Sequence, residues 1–144
     1  MKNILTAEKI MLNAKVATKE EAIRLAGDLL VKAGHVTSAY VEKMQEREQL
    51  ATTYIGSGVA IPHGTNESKQ EIQSTGISIV QVPEGVDFGE GNIAYLLVGI
   101  AAVGDEHLEV LSNIAIICSE EENVKRVVQA TSAAEIIDLF SEEV

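Results

Sequence analysis

An α/β fold, in which helices layer a β-sheet, follows from three features of this 144-residue chain. Helix-start signatures recur along it, two long stretches read as strands, and the two kinds of segment are interleaved. The length suits one domain, and we expect residues 1–144 to form one, with enough core to need no disulfide or structural metal. Apolar residues make up 46% and charged residues 23%, which excludes a disordered chain.

The elements follow in order. Ile10–Leu12 is a short strand candidate. Thr18 with Glu21 forms a capping box, in which each side chain satisfies an orphan N–H at the helix start. Ala22, Ile23, Leu25, Ala26, Leu29 and Leu30 then follow helical spacing, and Gly34 can stop the helix. A second helix is expected from Ser38 to Leu50, with Tyr40, Val41, Met44 and Leu50 facing inward. Val59–Ile61 is another short strand candidate. Gly76–Val82 alternates and is rich in β-branched residues, and Ile93–Val103 is nearly continuous in apolar side chains, as in a strand covered on both faces. Asp105 can cap a helix alone, because Leu108 stands where a box wants Glu, while Glu106 and Glu109 suit the dipole of the first turn. Ser119 with Glu122, and Ser132 with Glu135, repeat the capping-box pattern. The order of the strands in the sheet is not readable.

The formal charge is −11, and no window concentrates the 11 basic residues, so nucleic acid is not an expected partner. The first nine residues lack the apolar block of a signal peptide. The longest uncharged apolar run, Ile93–Val103, has 11 residues against the ~20 that a membrane helix needs. Cys118 stands alone in an apolar stretch, as a core thiol in a reducing compartment would. A cytoplasmic protein with no membrane insertion is expected.

Three histidines are candidates for chemistry. His35 follows Gly34 and reads as a solvated loop residue. His107 falls in the first turn of an apolar helix. His63 ends the run Gly56-Ser-Gly-Val-Ala-Ile-Pro-His63, where Pro62 fixes the backbone and Gly64 keeps bulk away from the ring. Such a residue is either a turn histidine closing a buried strand or an imidazole held out for nucleophilic or general-base work. The histidine gaps of 28 and 44 residues do not have metal-ligand spacing. Gly89-Glu-Gly-Asn-Ile-Ala94 fits a loose dinucleotide pattern, but no strand leads cleanly into it and a turn explains it better. Gly56-Ser57-Gly58 lacks the spacing of a nucleophile elbow.

The run from Glu46 to Thr65, with Ala60-Ile-Pro-His63 at its heart, resembles the active-site region of the enzyme IIA components of the bacterial phosphoenolpyruvate-dependent sugar phosphotransferase system. That superfamily contains mannitol, fructose and nitrogen-regulatory types. Tyr54, His63-Gly-Thr65, Pro83–Gly89 and Asp105–Ala115 resemble the mannitol branch, and the likeness runs from about Thr18 to Leu139. Some mannitol-type chains carry Glu where this one has Ser57, so no acidic role is transferred there.

The resemblance implies a central mixed β-sheet of about five strands, flanked by helices on both faces. It implies that His63 takes a phosphoryl group from the phosphocarrier HPr and passes it to a cysteine of the mannitol enzyme IIB (IICB), with no cofactor or metal. The alternative is a nitrogen-regulatory or fructose-type protein whose phosphorylation state regulates a partner. Arg47 matches the family's active-site arginine and can contact phosphoryl oxygens bidentately. An ordinary helix-surface ion pair is the other reading of Arg47, yet Lys43, Met44, Leu50 and Ala51, three or four positions away, include no acid. His107 matches the second active-site histidine, near a helix N-terminus that favours anions, and can also be read as a mere helix-start polar residue. Docking is expected on an apolar patch with Ile55, Val59 and Ile61, inside a thin acidic rim.

Overall fold

The structure is a computed structural model that describes residues 4–104 and 106–143, with side chains as far as residue 140. Its elements are β1 (Ile10–Met11), α1 (Lys19–Lys32), α2 (Ser38–Leu50), β2 (Tyr54–Gly56), β3 (Val59–Ala60), β4 (Gly76–Asp87), β5 (Ile93–Ala101), α3 (Glu106–Cys118), α4 (Glu121–Gln129) and α5 (Ala133–Glu143). Single 3-10 segments cover Ala7–Lys9 and Asn66–Glu71.

At two of the three expected capping boxes the Ser or Thr half forms, without the reciprocal bond from Glu to the amide of the cap residue. Thr18 Oγ1 accepts from Glu21 N at 3.2 Å, and Ser132 Oγ accepts from Glu135 N at 3.3 Å. At the third it does not: Ser119 Oγ turns back to donate to the Ile116 carbonyl, and α4 starts behind Glu120, which makes no side-chain cap. A hydroxyl immediately past a helix end finds a free C-terminal carbonyl closer than the next helix's amides. Asp105, the expected cap of α3, lies outside the described residues.

Among the described residues the sheet has five strands, in the order β1-β4-β5-β3-β2. β1 runs parallel to β4 and β3 parallel to β5, while β4–β5 and β2–β3 are antiparallel, so the sheet is mixed. Period-two alternation divides the side chains between two cores. Ile77, Ile79, Leu96, Val98 and Ile100 meet α3, α4 and α5 on one face. Val80, Val82, Leu97 and Ala101 meet α1 and α2 on the other. Helices therefore flank both faces, as expected.

β4 continues five residues past the expected end at Val82. Pro83 lies inside a register shift between Gln81 and Val86, where its missing N–H leaves no ladder bond unmade. β2 was not apparent in the sequence; it pairs with β3 through Ser57 and Gly58, both at positive φ (54° and 81°), as a tight two-residue hairpin demands. The Gly89–Asn92 segment is the expected turn between β4 and β5: Phe88 N donates to Asn92 O at 2.8 Å. Leu50 does not face inward; it ends α2 and is 74% exposed. Among the described residues no helix is long and apolar enough to cross a membrane.

Candidate active site

His63 lies three residues beyond β3, where the chain still follows β5: it forms an isolated parallel bridge with Ile100, and Ile100 N donates to Pro62 O at 2.9 Å. Tyr40, from α2, clamps this register. Its hydroxyl donates to the Ile100 carbonyl at 2.8 Å and accepts from Gly64 N at 2.9 Å. Burial pushes the Tyr40 phenol up to about 12, so it keeps its proton as a donor. A Cβ on Gly64 would stand 2.5 Å from the Tyr40 ring, so only glycine lets the loop approach this closely.

The backbone of His63 is thus fixed on both sides, and its ring is fixed next. Nδ1 lies 2.8 Å from the Ile61 carbonyl oxygen. A carbonyl only accepts, so Nδ1 carries the proton and the Nε2 lone pair is left free. Among the described residues Nε2 makes no hydrogen bond. Burial holds His63 below the ordinary histidine pKa; the Ile61 bond pulls the other way, Arg47 and His107 lower it further, and Glu48 raises it. The ring is therefore neutral at pH 7, the state in which imidazole is a nucleophile.

His107 comes from the first turn of α3, and its ring centroid lies 5.5 Å from that of His63 at an interplanar angle of 61°. Burial, and then the Lys69 ammonium, hold it below the usual value too. Arg47 stands near enough for its charge to act on His63, but its Nη1 donates to the Ala51 carbonyl at the end of α2. Among the described residues it forms no ion pair, so the surface-pair reading fails. The structure thus brings His63 and His107 together and holds Arg47, on a helix-end carbonyl, within electrostatic reach of His63. Lys69 was missed by sequence reasoning: it lies in the 3-10 segment after the His63 loop, which carries no apolar periodicity to mark it. The supporting pair Glu48 and Thr53 was missed as well.

Other expectations need correction. His35 is not solvated; it is buried, with Nε2 2.6 Å from Lys9 Nζ and Nδ1 2.8 Å from Ser74 Oγ. Val59 is fully buried and cannot line a docking patch, whereas Ile55 is exposed and Ile61 half-buried. The apolar side chains nearest in sequence to Arg47 and His107 that reach solvent are Leu50 and Leu108, the latter 73% exposed. Cys118 is buried, with its thiol pushed up to about 12, an inert core residue as expected. A cleft of about 260 Å³ lies between the β2–β3 turn, Tyr95 and α4, and none of His63, His107 and Arg47 lines it.

Residues 3–143 match the family described as phosphoenolpyruvate-dependent sugar phosphotransferase system, EIIA 2. The chain belongs to this family. It is 53% identical over 139 residues to the mannitol-specific phosphotransferase enzyme IIA component of Bacillus subtilis, covering 96% of this chain and 97% of that one. Its fold matches the IIA chain in a complex of enzyme IIAMTL and phosphorylated enzyme IIBMTL from Escherichia coli, with a TM-score of 0.90, 44% identity, and 96% and 97% of the two chains covered. The nitrogen regulatory protein IIA-Ntr of Neisseria meningitidis also matches, with a TM-score of 0.82 and 28% identity, over 96% and 97% of the chains. As a IIA component, the chain is a phosphotransferase.

Proposed function

We propose that the whole chain acts as one IIA domain in the cytoplasm, carrying phosphoryl groups from phospho-HPr to a cysteine of the mannitol enzyme IIB. The observation that carries the reading is the imidazole of His63, held with Nδ1 on the Ile61 carbonyl and its ring 5.5 Å from that of His107. The Nε2 lone pair attacks the phosphorus of phosphohistidine on HPr; the new N–P bond forms as the old one breaks, and HPr leaves with its histidine unphosphorylated. A cysteine thiolate of IIB then attacks the same phosphorus, and His63 departs neutral. Phosphoryl transfer needs alignment and charge compensation more than bond-making groups. His107 donates a hydrogen bond to the phosphoryl oxygens, and Arg47 and Lys69 offset their charge, Arg47 after releasing Ala51.

The mannitol branch is supported by 53% identity to a mannitol-specific component, against 28% to the nitrogen-regulatory protein. The pairing of a similar IIA chain with phosphorylated IIBMTL supports IIB as the acceptor. Partners dock where Leu50 and Leu108 reach solvent, three residues from Arg47 and next to His107 in sequence, since apolar contact lets two unrelated proteins use one face in turn. The test is mannitol phosphorylation reconstituted from enzyme I, HPr and membranes bearing IICB, with and without this chain. Sugar phosphate formed only when the chain is present supports the reading. Phosphorylation of His63 with no delivery to mannitol IIB would move the chain to a regulatory or fructose-type role.

A further inference from the structure

Glu48 is a buried carboxylate that neither transfer step uses. Its residue is 5% exposed, and an isolated buried carboxylate costs several kcal/mol unless its lone pairs are satisfied. Both oxygens are engaged. Oε1 accepts from Thr53 N at 2.8 Å and from Thr53 Oγ1 at 2.7 Å, while Oε2 lies 3.5 Å from Lys19 Nζ. Glu48 thus joins the last turn of α2 to the residue that precedes β2, and Lys19 at the start of α1 supplies the counter-charge.

Thr53, itself buried, does not end the chain of contacts. Its carbonyl accepts from Ile61 N at 3.0 Å, and the Ile61 carbonyl is the one that accepts from His63 Nδ1 at 2.8 Å. Whichever nitrogen of a histidine bonds a carbonyl keeps the proton, so the place of that oxygen decides which nitrogen can attack. An acceptor displaced by an ångström loses most of its hold on the ring. Tyr40 fixes only the other side, at Gly64 and Ile100. On the Ile61 side, the segment between β3 and Pro62 is anchored through Thr53.

We propose that Glu48 and Thr53 are positioning residues for His63: the buried carboxylate fixes Thr53 at two points, Thr53 fixes Ile61, and the Ile61 carbonyl selects the tautomer with Nε2 unprotonated. The linkage is geometric. The N–H and carbonyl of Thr53 belong to different peptide units, so no single amide relays polarisation from the carboxylate to the ring. This inference rests on His63 being the phosphoacceptor, and its test is separable from that reading.

The experiment uses the full chain with ¹⁵N-labelled histidine, comparing the parent with Glu48→Ala, Glu48→Gln and Thr53→Val. Two quantities are read: the His63 tautomer from its ring nitrogen shifts, and the rate of phosphorylation by phospho-HPr. The parent should show one tautomer, with the proton on Nδ1. Glu48→Ala should show exchange between both tautomers and a rate lower by about 10–100-fold, the scale on which losing an orienting partner affects metal-ligating histidines. Glu48→Gln keeps an acceptor oxygen for Thr53 and should restore the tautomer and most of the rate. Thr53→Val loses only the hydroxyl bond and should fall between. A single Nδ1–H tautomer in Glu48→Ala, or a Glu48→Gln variant as mixed as Glu48→Ala, overturns the proposal. Should Glu48→Ala not fold, Thr53→Val decides, and a tautomer identical to the parent's overturns it. A parent that is not phosphorylated on His63 would defeat the functional reading instead, leaving the tautomer result to stand.

Discussion

His63 and His35 are both buried, both lie at the end of the sheet where β4 begins and β5 ends, and burial lowers the pKa of both. Their hydrogen bonds differ. His35 spends both ring nitrogens, on Lys9 and on Ser74, and its ring packs over Gly76. His63 spends only Nδ1. Burial alone thus makes a neutral imidazole; what makes a nucleophile is one nitrogen held and the other left over. Lys9 sharpens the contrast, since burial lowers it to about 8 while it donates to His35 and to the Ile4 carbonyl.

Exchanging the two residues for alanine should separate the roles most strongly. His63→Ala should fold and take no label from phospho-HPr. His35→Ala should be labelled at nearly the parent rate while losing about 1.5–3 kcal/mol of stability, because Lys9 loses a charge-assisted hydrogen bond. Urea unfolding beside a labelling time course measures both, and label on a histidine of His63→Ala would break the contrast. Next in size are the neighbours. His107→Ala and Arg47→Ala should leave His63 phosphorylatable but slow in one or both transfers by about 100–1000-fold, the range for losing one preorganised charge-stabilising group. Parent rates in both directions would return the residue to a surface role.

The two histidines also sit against matched glycines. A Cβ on Gly64 would come within 2.5 Å of the Tyr40 ring, and one on Gly76 within 2.4 Å of the His35 ring. Each alanine substitution should cost about 1–3 kcal/mol as overpacking. Only Gly64→Ala should also slow labelling, because only that clash moves the clamp on the His63 loop. Equal labelling by the two variants would show that the Tyr40 clamp does not position His63.

A pH titration tests both sites together. Burial holds His35, His63 and His107 below the ordinary histidine pKa in the folded chain. As pH falls through 6.5 the unfolded chain takes up protons that the folded chain refuses, so stability should fall, and stop falling once pH passes below the folded values. Denaturation midpoints between pH 7.5 and about 5 should show this slope, and His35→Ala and His63→Ala should each flatten it. An unchanged slope in both would mean that burial does not hold these imidazoles neutral.

How much of this was legible follows from the length scale of each interaction. The α1 cap, the span of α2 and the two long strands were readable because side chains within four residues determine them. The Ala-Ile-Pro-His63 run was legible as unusual for the same reason. The burial of His35 was not, since Lys9 and Ser74 lie 26 and 39 residues away. Glu48 reads as one more acid on a polar helix until β2 brings Thr53 beneath it, and β2 itself spans only Tyr54–Gly56, too short for any period to show.

The smallest expected effect concerns charge, and it contrasts the histidine end of the sheet with the far end. The net charge of −11 invites the view that all the acids steer a basic partner. Distance argues otherwise. Glu121 shares a cleft with Tyr95, five residues back along β5 from the Ile100 that pairs with His63. At ~3.4 Å per residue that is about 17 Å, beyond the ~10 Å Debye length at 0.1 M salt. Glu46, which pairs with Lys43 at 3.3 Å, is adjacent in sequence to Arg47, and Glu106 to His107, so these two are the acids to test as a rim of the site. Glu46→Gln or Glu106→Gln should therefore slow association with phospho-HPr a few-fold at low salt, converging on the parent as salt screens them, while Glu121→Gln changes little at 0.1 M. Dissociation rates should stay constant throughout, since exposed rim charges act on encounter. Stopped-flow association across a salt series measures this. An association rate indifferent to salt would remove steering altogether, and an equal effect from Glu121→Gln would show that the field acts as a whole, not through the rim.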